Sequence, residues 1–196
     1  MITSGASNRT RPSCVSKHVR ALAGRVLAAP PAAALAALAL AGCASSSRPA
    51  PVACTPADLR ITVAFSQGAT QHAIYDLRFT NVSGTVCTLR GFPGVSLVTA
   101  GNPAGRPIGS PRPVIMQSAG LPVATVRLAP GQRALALLGV AETVMFTGSG
   151  CGPVAAHWLK VYPPPASRAV YVPITADTCS SPSDQVLEIS PVYPDS

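Results

Sequence analysis

Acidic side chains are scarce in this chain: seven Asp and Glu in all, beside three His and a single Trp. General acid–base catalysis needs titratable groups brought together at a reacting bond. Asp58, Asp76, Glu142, Asp177, Asp184 and Glu188 instead occur singly, with no local pair of the glycosidase kind. Beyond the first fifty residues only His72 and His157 remain, and neither a CxxC nor an HxxxH spacing exists to hold a metal. Met116 and Met145 stand apart from both histidines and form no soft-metal motif with them. The one suggestive serine, Ser149 in "TGSGCG", misses the Gly-x-Ser-x-Gly register of a nucleophile elbow. No enzyme activity, cofactor or metal is therefore expected. Helices are also missing: no segment after residue 43 carries a capped 3.6-residue stripe, and 21 prolines argue against long ones.

What charge there is lies unevenly. The formal net charge is +8, but Arg9, Arg11, Lys17, Arg20 and Arg25 all precede the apolar run that starts at Val26. From Cys43 onward ten basic residues face seven acidic ones, a balance of only +3. Nucleic acid binding needs a basic face on the folded part, so no nucleic acid partner is expected.

The first 43 residues read as an export address. A basic region gives way to "VLAAPPAAALAALALAG", seventeen uncharged residues closing on Leu40-Ala41-Gly42-Cys43. A membrane-spanning helix wants about 20 strongly apolar residues, whereas a run of this length interrupted by Pro30 and Pro31 suits a secretory leader. The closing tetrapeptide has the form of a lipobox. Small Ala41 and Gly42 give a signal peptidase access behind Leu40, and the Cys43 thiol is the acceptor for diacylglycerol. Two acyl chains at about 0.8 kcal/mol per buried methylene anchor a protein stably to membrane lipid. The basic region is long for a leader, so initiation is expected nearer Val15 or Val19. The organisation expected is a signal peptide over 1–42, a lipidated flexible tether over 43–53 and a folded domain over 54–196. The protein would then sit on the outer face of a bacterial cytoplasmic membrane.

Four cysteines remain in the domain, an even set that reads as disulfides in an oxidising compartment. Cys54–Cys87 and Cys151–Cys179 are the favoured pairs, because each joins sequence neighbours within one half of the domain. Between them the pattern has period two. Leu59, Ile61, Val63 and Phe65 alternate with smaller or polar residues, as do Tyr75, Leu77 and Phe79, each set reading as one buried face of a strand. Further strands are expected at 95–99, 124–128, 133–140, 157–162, 169–174 and 185–190. About eight short strands separated by turns predict an all-β, immunoglobulin-like antiparallel β-sandwich. Residues 101–122 are Gly/Pro-rich, leaving open a long loop or a short edge strand near Val114–Met116. In "FTNVSGTVCTLRGFPGV" (79–95), Asn81 and Gly84 suit a turn rather than a glycosylation site. Phe92 is expected to fold back as an apolar plug and Pro93-Gly94 to make a type II turn.

The joint pattern of a cysteine before the first strand, "LRFTNVSGTVCTLRGFPGVSL", "VRLAPGQRALALL", "LKVYPP" and a last cysteine before "LEISPV" resembles the actinobacterial domain-of-unknown-function family 4232. The resemblance runs from Cys54 to Val192. It implies an extracytoplasmic β-sandwich with paired cysteines, found on secreted proteins and lipoproteins, and implies no activity.

One cluster invites a ligand. Trp158, Tyr162 and Tyr171 fall on the strand faces opposite Leu159/Val161 and Val170/Val172, where they either line a glycan-binding face or are shared between two sheets in the core. The function expected is a non-enzymatic interaction module for another envelope component, protein or glycan. The alternative is a receptor for a small ligand, a glycan or a metal.

Overall fold

The computed structural model describes residues 52–146 and 150–195. The leader, the lipobox at Leu40–Cys43, the start-site expectation, most of the tether and Ser149 lie outside them. Among the described residues the chain is all-β, with three short 3-10 turns and no α-helix. Its strands are β1 (Val52–Ala53), β2 (Leu59–Ala69), β3 (His72–Asn81), β4 (Cys87–Arg90), β5 (Gly94–Val98) and β6 (Val114–Ile115). They continue as β7 (Thr125–Leu128), β8 (Arg133–Ala141), β9 (Pro153–Tyr162), β10 (Val170–Cys179), β11 (Leu187–Ile189) and β12 (Tyr193–Pro194). That is four more than the alternating pattern gives. Of the additions, β1, β6 and β12 are two residues each, too short to carry any alternation.

The strands form three ladders. The largest runs β2-β3-β8-β11-β6, with β12 also on β8; the others run β1-β4-β7 and β10-β9-β5. Most pairings are antiparallel, but β1 lies parallel to β4 and β6 parallel to β11. The second of these resolves the 101–122 stretch as loop with a short edge strand. Val52 and Ala53, the last residues of the 43–53 stretch, are thus already hydrogen-bonded into the domain.

The two small ladders pack on the large one through a single core. Leu77, Phe79 and Leu138 enter it from the large ladder, Leu97, Leu159 and Val161 from the β5-β9-β10 ladder, and Leu89 and Leu128 from the third. All eight are essentially inaccessible to solvent. At about 25 cal/mol per Å² of apolar surface removed from water, this sheet-on-sheet burial is the main source of stability.

Both expected disulfides are present, Cys54–Cys87 with Cα atoms 4.9 Å apart and Cys151–Cys179 with 5.2 Å. Immunoglobulin domains bridge their two sheets. Here each bond instead ties neighbours of one ladder. Cys54 follows β1 beside β4, and Cys151 precedes β9 beside the end of β10, where Cys179 faces Pro153.

The 79–95 stretch is a corner of the fold. Asn81 is fully buried; its amide donates to the Thr85 and Leu128 carbonyls while its Oδ1 accepts from the Ser83 N–H and hydroxyl. Phe92 packs against the core as a partly buried plug. The type II turn expected at Pro93-Gly94 is displaced: the positive φ falls at Gly91 (106°), and Gly94 opens β5.

Candidate binding face

The β5-β9-β10 ladder turns one side to the core and the other to solvent. Along β9, buried Leu159 and Val161 alternate with half-buried Trp158, Lys160 and Tyr162. The cross-strand register then assembles a surface. Lys160 is flanked by Ser96 on β5 and Tyr171 on β10, Trp158 by Val98 and Pro173, and Tyr162 by Gly94. Trp158, Tyr162 and Tyr171 therefore share the outer face of one ladder, all half-buried, and none belongs to the core. The expectation that they lie together holds, and the reading that two sheets share them in the interior does not.

Two glycines shape this surface. A Cβ on Gly101 would stand 2.6 Å from the Trp158 indole carbons, so the loop backbone there lies directly against the ring. That loop is closed by Thr99, whose N–H donates to the Arg106 carbonyl and whose hydroxyl accepts from the Arg106 N–H. A Cβ on Gly94 would come within 3.3 Å of Tyr162, which needs the missing side chain to lie across β5. Ser96 is held by its hydroxyl donating to the Pro111 carbonyl, 2.8 Å away.

Lys160 is the one cation at the centre of the face. Its Nζ lies 5.1 Å from the Tyr162 ring centroid, a cation–π distance. Its ammonium is held above the ordinary lysine range, first by a hydrogen bond to Tyr162, with burial opposing and the Tyr162 and Tyr171 phenols adding less. The face thus presents three aromatic rings, a fixed positive charge and a serine hydroxyl. Lys160 escaped the sequence reading, although its parity in "HWLKVY" puts it between Trp158 and Tyr162. Gly101 carried no local signal, since its contact is made across the fold.

The other sequence candidates are scattered. His72 meets only a backbone partner, its Nδ1 lying 3.4 Å from the Thr70 carbonyl oxygen, and His157 is exposed on β9. Met116 is buried against Gly139 and Met145 is exposed. Among the described residues no three His, Cys, Asp or Glu side chains converge as metal ligands. A hollow of about 690 Å³ lies elsewhere, between residues 53–57 and 165–169. Its lining is mostly Ala and Pro with Arg168 as the one charged group, so it lacks the convergent polar contacts of a specific site.

The fold is that of a disulfide-stapled, all-β domain. A family model, domain of unknown function (DUF4232), matches residues 54–193, and the chain belongs to that family. No curated protein and no solved structure matches the chain.

Proposed function

We propose that this chain is a membrane-anchored extracytoplasmic lipoprotein whose β-sandwich is a non-enzymatic interaction module for another component of the cell envelope. The observation that carries the reading is the clustering of Trp158, Tyr162 and Tyr171 around Lys160 on one outward ladder face. Half-exposed aromatics gathered on a sheet are uncommon unless a partner covers them. A flat face of rings, ammonium and hydroxyl suits a saccharide better than a buried metabolite: apolar sugar faces stack on the rings while Lys160 and Ser96 meet hydroxyl or acidic substituents. The anchor is supported by Leu40-Ala41-Gly42-Cys43 behind an uncharged run, and the extracytoplasmic setting by the two disulfides.

Co-sedimentation with insoluble envelope polysaccharide tests the module. The native chain is expected in the pellet, and Trp158→Ala with Tyr171→Ala in the supernatant. Equal partition of both would remove the aromatic face from the function. A native chain that never pellets, yet cross-links reproducibly to one envelope protein in cells, would transfer the face to a protein partner. The anchor has its own test: Cys43→Ala is expected to move the protein from the membrane fraction to the medium.

A further inference from the structure

A second surface lies where the free edges of two ladders meet. Among the described residues strand β2 pairs only with β3, and β10 only with β9, and the two edges lie against each other. Both ladders are irregular there, β2 between Phe65 and Gln67 and β10 between Pro173 and Ala176. Bulges of this kind end regular pairing and re-aim side chains. The freed Thr175 carbonyl accepts from the Tyr75 hydroxyl at 2.7 Å, which pins the two edges together.

The alternation in β2 predicts Phe65 in the core with Leu59 and Ile61. It is instead 63% exposed, while Tyr75, its cross-strand partner on β3, is buried. The ring stands edge-on to Tyr75, centroids 5.7 Å apart and planes at 81°. A hollow opens on each side of it. One, about 330 Å³, is walled by Val63, Pro173 and Ile174; the other, about 390 Å³, by Glu142, Val144 and Asp177.

Among the described residues Glu142 and Asp177 are the only charged groups lining either hollow, and no ion pair involves them. Their field reaches the floor: the Tyr75 phenol is held above its ordinary range, chiefly by burial and then by Asp177 and Glu142. An exposed aromatic ring beside two unpaired carboxylates is complementary to a cation that can lie against a π-face. Phe65, Tyr75 and Thr175 line both hollows, so the two adjoin. In an extended chain, side chains two residues apart point the same way about 7 Å from each other, enough to straddle one ring.

We propose that this cleft docks an extended segment of a partner polypeptide, placing an apolar side chain beside Val63 and Ile174 and, two residues on, a Lys or Arg side chain between Phe65, Glu142 and Asp177. The site is separate from the aromatic face of β5-β9-β10 and stands or falls independently of it.

Fluorescence anisotropy of a labelled Ser-Val-Thr-Lys-Thr peptide with the full chain tests this, with the Gln-for-Lys peptide as its partner. The Lys peptide is expected to bind with a Kd of about 0.1–1 mM, and the Gln peptide about tenfold more weakly. Phe65→Ala, and Glu142→Gln combined with Asp177→Asn, are each expected to weaken the Lys peptide about tenfold. Ile115→Ser, exposed on β6, should leave it unchanged. Equal binding of the two peptides, indifference to Phe65→Ala, or no signal at about 5 mM peptide would overturn the proposal. Displacement of the peptide by n-butylamine at the same concentration would overturn it too, in favour of a small-amine site.

Discussion

Single residues decide how firmly each part of this protein is held. Asn81 makes four hydrogen bonds from full burial, closing the turn between β3 and β4 and tying it to the end of β7. Asn81→Ala would leave several buried backbone groups unsatisfied. A loss of about 2–4 kcal/mol is expected in urea unfolding, far more than for Val82→Ala on the exposed turn. Burial also makes the Asn81-Val82-Ser83 sequon a structural device, unreachable by a glycosylating enzyme in the folded chain. Gly101 is the counterpart at the candidate binding face. Gly101→Ala drives a methyl group into the Trp158 ring, so the loop or the indole must move, at about 1–3 kcal/mol. Trp158 is the sole tryptophan, so its emission reports on this position alone. A shifted emission maximum is expected in the variant, and an unchanged spectrum would mean that the loop, not the ring, gives way.

At the level of strands, the sequence was legible wherever a strand is long and covered by the opposing ladder. Tyr75, Leu77 and Phe79 are buried as their alternation requires, and Ala134, Ala136, Leu138 and Val140 line the same side of β8. Phe65 obeys the same parity and escapes burial, because period two says which side a residue faces and not what covers it there. The co-facing of Trp158, Tyr162 and Tyr171 followed from parity alone. Their register did not: cross-strand alignment is set by loops whose closure depends on distant contacts. The β2–β10 edge carries a prediction of its own. Burial and the nearby carboxylates raise the Tyr75 phenol, and burial with Asp76 and Asp195 raises Tyr193. A raised folded value contributes stability that is complete below the unfolded value of about 10 and is lost as pH rises through the folded one. Melting temperature should therefore decline above about pH 10. Tyr75→Phe should flatten part of that decline while costing about 1 kcal/mol at neutral pH through the lost Thr175 bond.

For the molecule as a whole, the disulfides close two rings that do not overlap, with sequence separations of 33 and 28 residues. In the chain-entropy account each ring is worth roughly 3.5–4 kcal/mol, against the 5–15 kcal/mol typical of a whole domain. Calorimetry with and without reductant should show a large drop in melting temperature, and removal of either bridge alone about half of it. Their order along the chain has a further consequence. Each bridge joins two domain cysteines that are consecutive along the chain, so a polypeptide exported as proposed and oxidised in that order would arrive at the native bonds with nothing to reshuffle. Cys43 would emerge ahead of them all, an odd thiol positioned to capture Cys54 before Cys87 arrives. On the proposed lipoprotein reading, acylation of that thiol would do double duty: the lipid that moored the protein would also withdraw a competitor from its oxidative folding.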